Sequence, residues 1–334
     1  MRALVLLEPG RLVLEDRPEP DDPGPGEATV RVRRVGVCGT DLHAYRGEQP
    51  LFTYPRLLGH ELGVEVVAVG AGVDRVAVGD RCAVEPYLHC GRCVACRAGR
   101  TNCCAELKVL GVHVDGGMRP TLNVPAAKLH RSNKLSDDQL ALVETLCIGA
   151  HAVARAAPRP GEPTLVVGAG PIGLGVIQFA HAAGADVTVL DLRDDRRAFV
   201  REQLGIAAVV GTDEALADAA PEGFTAVFDA TGHRGSMARA LDRAAPTARV
   251  VYVGLVLGGL TLDDPTLHRK ELTLLASRNA TAGDFARVVA AVEAGDIDTA
   301  PWITHRAALD DAPSRFDTWL DPASGTVKAM IELD

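Results

Sequence analysis

The stretch TLVVGAGPIGLGVIQFAHAAGADVTVLD, Thr164 to Asp191, constrains the fold more than any other part of the chain. An apolar run ends in Gly168, Gly170 and Gly173, spaced G-x-G-x-x-G, an apolar helix-like segment follows, and a second apolar run closes on Asp191. The first glycine permits a tight turn, the second lets the backbone approach a pyrophosphate, and the third allows close helix–strand packing. The helix start then offers unpaired N–H groups and the positive end of its dipole to phosphate. Asp191, eighteen residues after Gly173, is placed to accept both ribose hydroxyls and to repel a 2′-phosphate, so the cofactor expected is NAD. The same reading takes in Pro171, Ile172, Arg196, Thr231 and Gly254 as cofactor contacts. Arg193, Arg196 and Arg197 follow closely and read either as phosphate ligands or as a solvated helix start with one arginine near the adenosine.

The pattern continues beyond this unit. The runs TLVVG, DVTVLD, AAVV, AVFDA, RVVYVG and ELTLLAS alternate with segments long enough for crossover helices. Six such runs suit a doubly wound parallel sheet. Up to about residue 125 the chain instead reads as short strands broken by Gly and Pro, mostly β and barrel-like. Between them, DDQLALVETLCIGAHAVARAA has helical spacing, with Leu140, Val143, Leu146 and Ala150 on one face. The tail adds a helix, DFARVVAAVEAG, and a closing strand, TVKAMIEL.

A chain of 334 residues suits two domains, and a net charge of −9 argues against a nucleic-acid partner, whose binding rests on phosphate neutralisation. The N-terminal apolar run Leu4–Leu7 stops at Glu8-Pro9-Gly10, far short of the roughly 20 residues of a membrane span. A cytoplasmic protein is expected, with no membrane partner. In that reducing compartment clustered cysteines bind metal or do chemistry more often than they form disulfides.

Five of the eight cysteines fall in HCGRCVACRAGRTNCC. Cys90, Cys93, Cys96 and Cys104 are spaced C-x2-C-x2-C-x7-C, and four thiolates from one lobe can enclose one Zn²⁺ with no open position for chemistry. An iron–sulfur cluster would accept the same four thiols, and a redox pair would use only two. Cys82 and Cys147 read as small buried hydrophobes.

This lobe, the GVCGTDLH and GHE motifs before it and the dinucleotide fold after it resemble the zinc-dependent medium-chain alcohol and polyol dehydrogenases over essentially the whole chain. The resemblance implies a GroES-like β-rich catalytic domain at 1–146 and 285–334, a Rossmann domain at 147–284, and an active site in the cleft. It makes the lobe a structural zinc site ending at Cys104, with Cys103 left out. It assigns a catalytic zinc to Cys38 and His60, with Glu61 or Glu144 as third ligand or holder of the bound water. Thr40 resembles the hydroxyl that takes the alcohol's proton, His43 the shuttle to solvent, and Asp41 the acid that orients a ligand histidine.

Within the family, GEQPLFTYPRLLGHE, PYLHCGRCVACRAGRTNCC and LGVHVDGG look most like dehydrogenases acting on the C5 hydroxyl of L-galactonate or L-gulonate. The expected reaction is NAD-linked oxidation of a secondary alcohol of a sugar acid or polyol. The rivals are an L-threonine or small-alcohol dehydrogenase and a silent zinc- and NAD-binding protein. A carboxylate substrate calls for a cation, first Arg278, then Arg46 or Arg119, while Tyr87, Val109 and Leu110 would wall the pocket. The chain departs from the family at Gly63-Val64, where a different turn is expected, at Glu144-Thr145-Leu146 in place of E-P-L, and at Pro120-Thr121. The family pattern further implies a homodimer or homotetramer.

Overall fold

The computed structural model describes residues 1–49 and 52–333. Pro50 and Leu51, part of the GEQPLFTYPRLLGHE stretch, and Asp334, at the end of the expected C-terminal segment, lie outside the described residues. The chain divides into two compact units, one made of Met1–Glu144, Thr281–Gly295 and Thr299–Asp334, the other of Thr145–Ala280 and Asp296–Asp298.

The first unit is built on a seven-stranded sheet. Its long central strand Glu27–Val37 pairs antiparallel with Glu61–Val69 on one side and with Lys328–Glu332 on the other. The alternating pattern of VRVRRVGV buries Val30, Val32 and Val35 in a core that also holds Leu4, Leu62, Ile331 and Phe316. The two residues Tyr87–Leu88 pair with Lys108–Val109, and this short ladder forms the neck from which the cysteine lobe hangs.

The turn expected after His60 is absent, because Glu61–Val69 runs as one strand. Gly63 answers a different need: a Cβ there would lie 2.3 Å from the backbone oxygen of Asp137, at the start of the helix Asp137–Ala156. That helix departs from the expected single apolar face. Residues 140–147 are all buried, because its N-terminal turns pack on the strand at Gly63 and its later part, from Thr145, belongs to the second unit. Gly149 there meets Gly175 so closely that a Cβ would come within 2.4 Å of backbone.

The second unit holds a six-stranded parallel Rossmann sheet, Pro163–Val167, Asp186–Leu190, Val209–Val210, Phe224–Asp229, Ala244–Tyr252 and Thr273–Ala276 in sequence order. In space the order is third, second, first, fourth, fifth, sixth, the doubly wound arrangement that the six apolar runs predict.

Candidate metal centre and dinucleotide loop

Cys38 ends the run that follows Glu27–Val37 and serves as N-cap of the helix Gly39–Tyr45. Its backbone N–H donates to Asp41 Oδ2 at 2.9 Å, so the T-D of CGTDLH closes the first turn. The other carboxylate oxygen of Asp41 faces His60 Nδ1 at 3.7 Å, and both atoms are buried without a hydrogen-bond partner. Any shortening of that gap makes the contact a hydrogen bond that turns the opposite ring nitrogen outward as a ligand. His60 and Glu61 follow the loop at Gly59, whose φ of +99° needs glycine.

Ligand atoms of Cys38, His60 and Glu61 lie within 4.8 Å of one another. Glu144 stands outside this trio, but its charge acts on His60. Thr40 and His43, three residues apart on the short helix, share one of its faces, Thr40 half-buried and His43 exposed.

Lys328 is the residue that sequence reasoning missed. Its ammonium is 2 % exposed and reaches both Glu61 oxygens, at 2.6 and 2.7 Å. Gly36, cross-strand from Glu61, leaves room for this pair, since a Cβ there would lie 2.1 Å from Glu61 Oε2. The signal was present in TVKAMIEL, where a lysine interrupts a buried apolar strand and must find a counter-charge.

The site gathers several titratable groups that shift one another. Burial pushes Asp41 up, and His60 and the Cys38 N–H oppose it only in part. Burial and the Glu61 charge likewise raise Glu144. Burial alone would lower His60, but Asp41, Cys38 and Glu144 hold it well above the usual imidazole range. Beside the carboxylates and thiol stands the Lys328 ammonium, itself pulled down by burial and raised by Glu61 and Cys38. A soft sulfur, an imidazole and a carboxylate with converging ligand atoms fit a divalent zinc ion.

The four lobe sulfurs also lie within 4.8 Å of one another. Backbone N–H groups of Cys90 and Glu106 donate to Cys104 Sγ, each at 3.3 Å, and Cys93 Sγ lies 3.5 Å from Cys96 Sγ. Amides of Ala105 and Cys96 pull the Cys93 thiol down to about 6, while burial and the neighbouring thiols push Cys96 up to about 12. The donor set fits a closed tetrahedral zinc. Cys103 is exposed and stands outside the cluster, while Cys82 and Cys147 are fully buried.

In the second unit Gly168 takes a φ of +93°, and Gly170 caps the helix Pro171–Ala182 with open space where its Cβ would stand. Gly173 admits no side chain, because a Cβ would sit 1.8 Å from the Gly168 oxygen. Ile172 lies beside it in the same first turn. Asp191 Oδ2 accepts from the Ala169 N–H at 2.7 Å and Oδ1 from the Arg193 N–H at 2.9 Å, so the acid meets the glycine turn itself. Arg196 is buried beside Asp191 and Asp195, whereas Arg193 pairs with Asp195 and Arg197 with Asp194. Thr231 bonds the buried Asp229 at the end of the fourth strand and packs over Gly168, and Gly254 touches Gly232. The open step at Gly170 and the positive helix end fit a pyrophosphate.

The cations expected to meet a substrate carboxylate are Arg278, Arg46 and Arg119. Arg278 and Arg46 are exposed, and Arg46 borders a depression shared with Asp317 and Asp321, poor company for an anion. Arg119 is half-buried near Asp115. Tyr87, Val109 and Leu110 are buried, and the Tyr87 hydroxyl donates to Glu144.

Comparison with known proteins agrees with this construction. Residues 24–134 match the alcohol dehydrogenase GroES-like domain and residues 171–294 the zinc-binding dehydrogenase family. The L-galactonate-5-dehydrogenase of Escherichia coli K12 is 42% identical, covering 92% of this chain and 91% of its own. The 2-dehydro-3-deoxy-L-galactonate 5-dehydrogenase of Pseudoalteromonas atlantica is 33% identical, covering 93% and 92%. Among solved structures, an alcohol dehydrogenase from E. coli CFT073 complexed with NADH superposes with a TM-score of 0.94 at 30% identity, covering 100% of this chain and 99% of its own. Among the described residues no helix is long and apolar enough to cross a membrane. The chain belongs to the zinc-binding medium-chain alcohol and polyol dehydrogenases, and is an oxidoreductase.

Proposed function

We propose that the chain oxidises a secondary alcohol of a sugar acid or polyol, L-galactonate or L-gulonate in type, to the ketone with NAD. The observation that carries this reading is the convergence of Cys38, His60 and Glu61, whose ligand atoms lie within 4.8 Å of one another. The two relatives named for dehydrogenation at C5 of galactonate-type acids support the substrate class. When bound, zinc supplies a Lewis acid that acidifies the alcohol, and NAD supplies the hydride acceptor.

Cys38 and His60 hold the metal, and Asp41 orients the His60 ring. Thr40, half-buried, receives the hydroxyl proton, and His43, exposed on the same face of the helix, passes it to solvent. Oxidation to the ketone removes one hydride from carbon, which the dinucleotide would accept, and one proton from the hydroxyl, which Thr40 and His43 would carry away. Gly168, Gly170 and Gly173 admit the pyrophosphate, and Asp191 takes the ribose hydroxyls. Arg278 is the cation offered to a substrate carboxylate. The protein acts in the cytoplasm and assembles as a homodimer or homotetramer, which light scattering decides.

The test is NADH formation across L-galactonate, L-gulonate, simple polyols, L-threonine and small alcohols. Turnover of the sugar acids above the others is the expected result. Preference for threonine or a small alcohol would keep the chemistry and discard the substrate, and no NADH from any of them would leave a silent binding protein.

A further inference from the structure

Glu61 joins the Cys38–His60 cluster and the Glu144 charge acts on His60, and the fold holds the two carboxylates differently. Glu61 gives both oxygens to the Lys328 ammonium, whereas Glu144 receives the Tyr87 hydroxyl on one oxygen. A two-point ion pair holds a carboxylate harder than one hydroxyl does.

The segment that carries Tyr87 is itself pinned from both sides. Lys128 bonds Glu85, two residues before Tyr87, and its Nζ lies 3.0 Å from His89 Nδ1, two residues after it. His130 completes the group, with Nε2 3.2 Å from Glu85 Oε2. The His130 ring stacks on Phe285 at 4.7 Å, and Phe285 meets the Tyr87 ring edge-on at 6.2 Å. Glu85, Lys128 and His130 are 1, 6 and 8% exposed. Burying an ion pair costs desolvation that its attraction often only offsets, so such a group is a weak source of stability. What this one accomplishes is geometric: it fixes the backbone on either side of a tyrosine whose hydroxyl reaches Glu144.

We propose that Tyr87 is a positioning residue that sets the place of Glu144 beside the Cys38–His60 pair, with Lys128, Glu85 and His130 as the mount that holds Tyr87. Glu61 is then the fixed carboxylate and Glu144 the adjustable one. The proposal rests on the reading that Cys38 and His60 hold a metal.

The test is Tyr87→Phe in the full-length protein, which removes one oxygen and keeps the ring. Zinc affinity of the second site, read by competition with a chelator, and the split between kcat and KM are the readouts. Residues that orient metal ligands alter affinity or activity by roughly 10- to 100-fold when changed. Tyr87→Phe is expected to shift zinc affinity by about tenfold and to lower kcat more than it changes KM. The shift is expected to vanish in a Glu144→Gln background, and Lys128→Met to move affinity in the same direction. An unchanged zinc affinity in Tyr87→Phe, or an equal shift with and without Glu144, would overturn the proposal and leave Tyr87 a packing residue. Failure of the underlying reading looks different: His60→Ala would then bind as many zinc ions as the parent protein.

Discussion

The four lobe sulfurs come from Cys90 to Cys104, one short stretch of chain, and three of those cysteines are partly exposed. The ligand atoms of Cys38, His60 and Glu61 come from two separate segments, and His60 and Glu61 are 5% and 0% exposed. The lobe hangs from a two-residue ladder and has backbone amides as its supporting cast. The trio is mounted on the central sheet, where Asp41 faces His60, Lys328 pairs with Glu61, and Tyr87 donates to Glu144. A closed site of equivalent thiolates can be built locally because every position does the same thing. A reactive site must leave room for a substrate and keep its charges unequal, so its parts come from distant strands.

This contrast breaks most readily at the ligands. Cys38→Ser or His60→Ala is expected to lower turnover by about 10³-fold or more, because a Lewis acid contributes several kcal/mol to such a reaction. One zinc per chain should remain, in the lobe. Metal analysis beside the assay checks both halves.

Lys328→Met comes next. It leaves Glu61 ionised and buried without its counter-charge, which costs about 3–5 kcal/mol of stability by analogy with broken buried pairs. Adding Glu61→Gln should recover much of that loss in denaturant melts, and an additive double variant would contradict the pairing.

Cys96→Ser should do the reverse of Cys38→Ser. The lobe zinc leaves, the melting temperature falls, and the trio keeps its own zinc with turnover close to the parent's. Loss of both metals together would mean the two centres are not independent. Smallest of all is Cys103→Ser, expected to change neither zinc content nor melting temperature. A lost zinc there would move the fourth ligand from Cys104 to Cys103.

What the sequence disclosed follows the same division. The lobe, the glycine turn and the six apolar runs are local patterns, and each reappears where its spacing placed it. Gly63 misled, because a glycine required by a helix crossing 74 residues later in the chain looks like a turn residue. The helix Asp137–Ala156 looked one-sided because periodicity does not show that two successive units each bury a part of it. Lys328 stayed hidden for a related reason. Its partner Glu61 lies 267 residues away, and only the pairing of Lys328–Glu332 with Glu27–Val37, and of that strand with Glu61–Val69, brings them together. Tyr87 read as a wall because aromatic residues pack far more often than they donate.

The central claim is that Cys38 and His60 form a second metal centre, distinct from the lobe, on which turnover depends. Counting zinc per chain in the parent protein and in Cys38→Ser, with NADH formation from L-galactonate or L-gulonate measured on the same samples, tests it most directly. Two zincs and turnover are expected in the parent, and one zinc without turnover in the variant. One zinc in the parent, or a variant that keeps forming NADH, would contradict it.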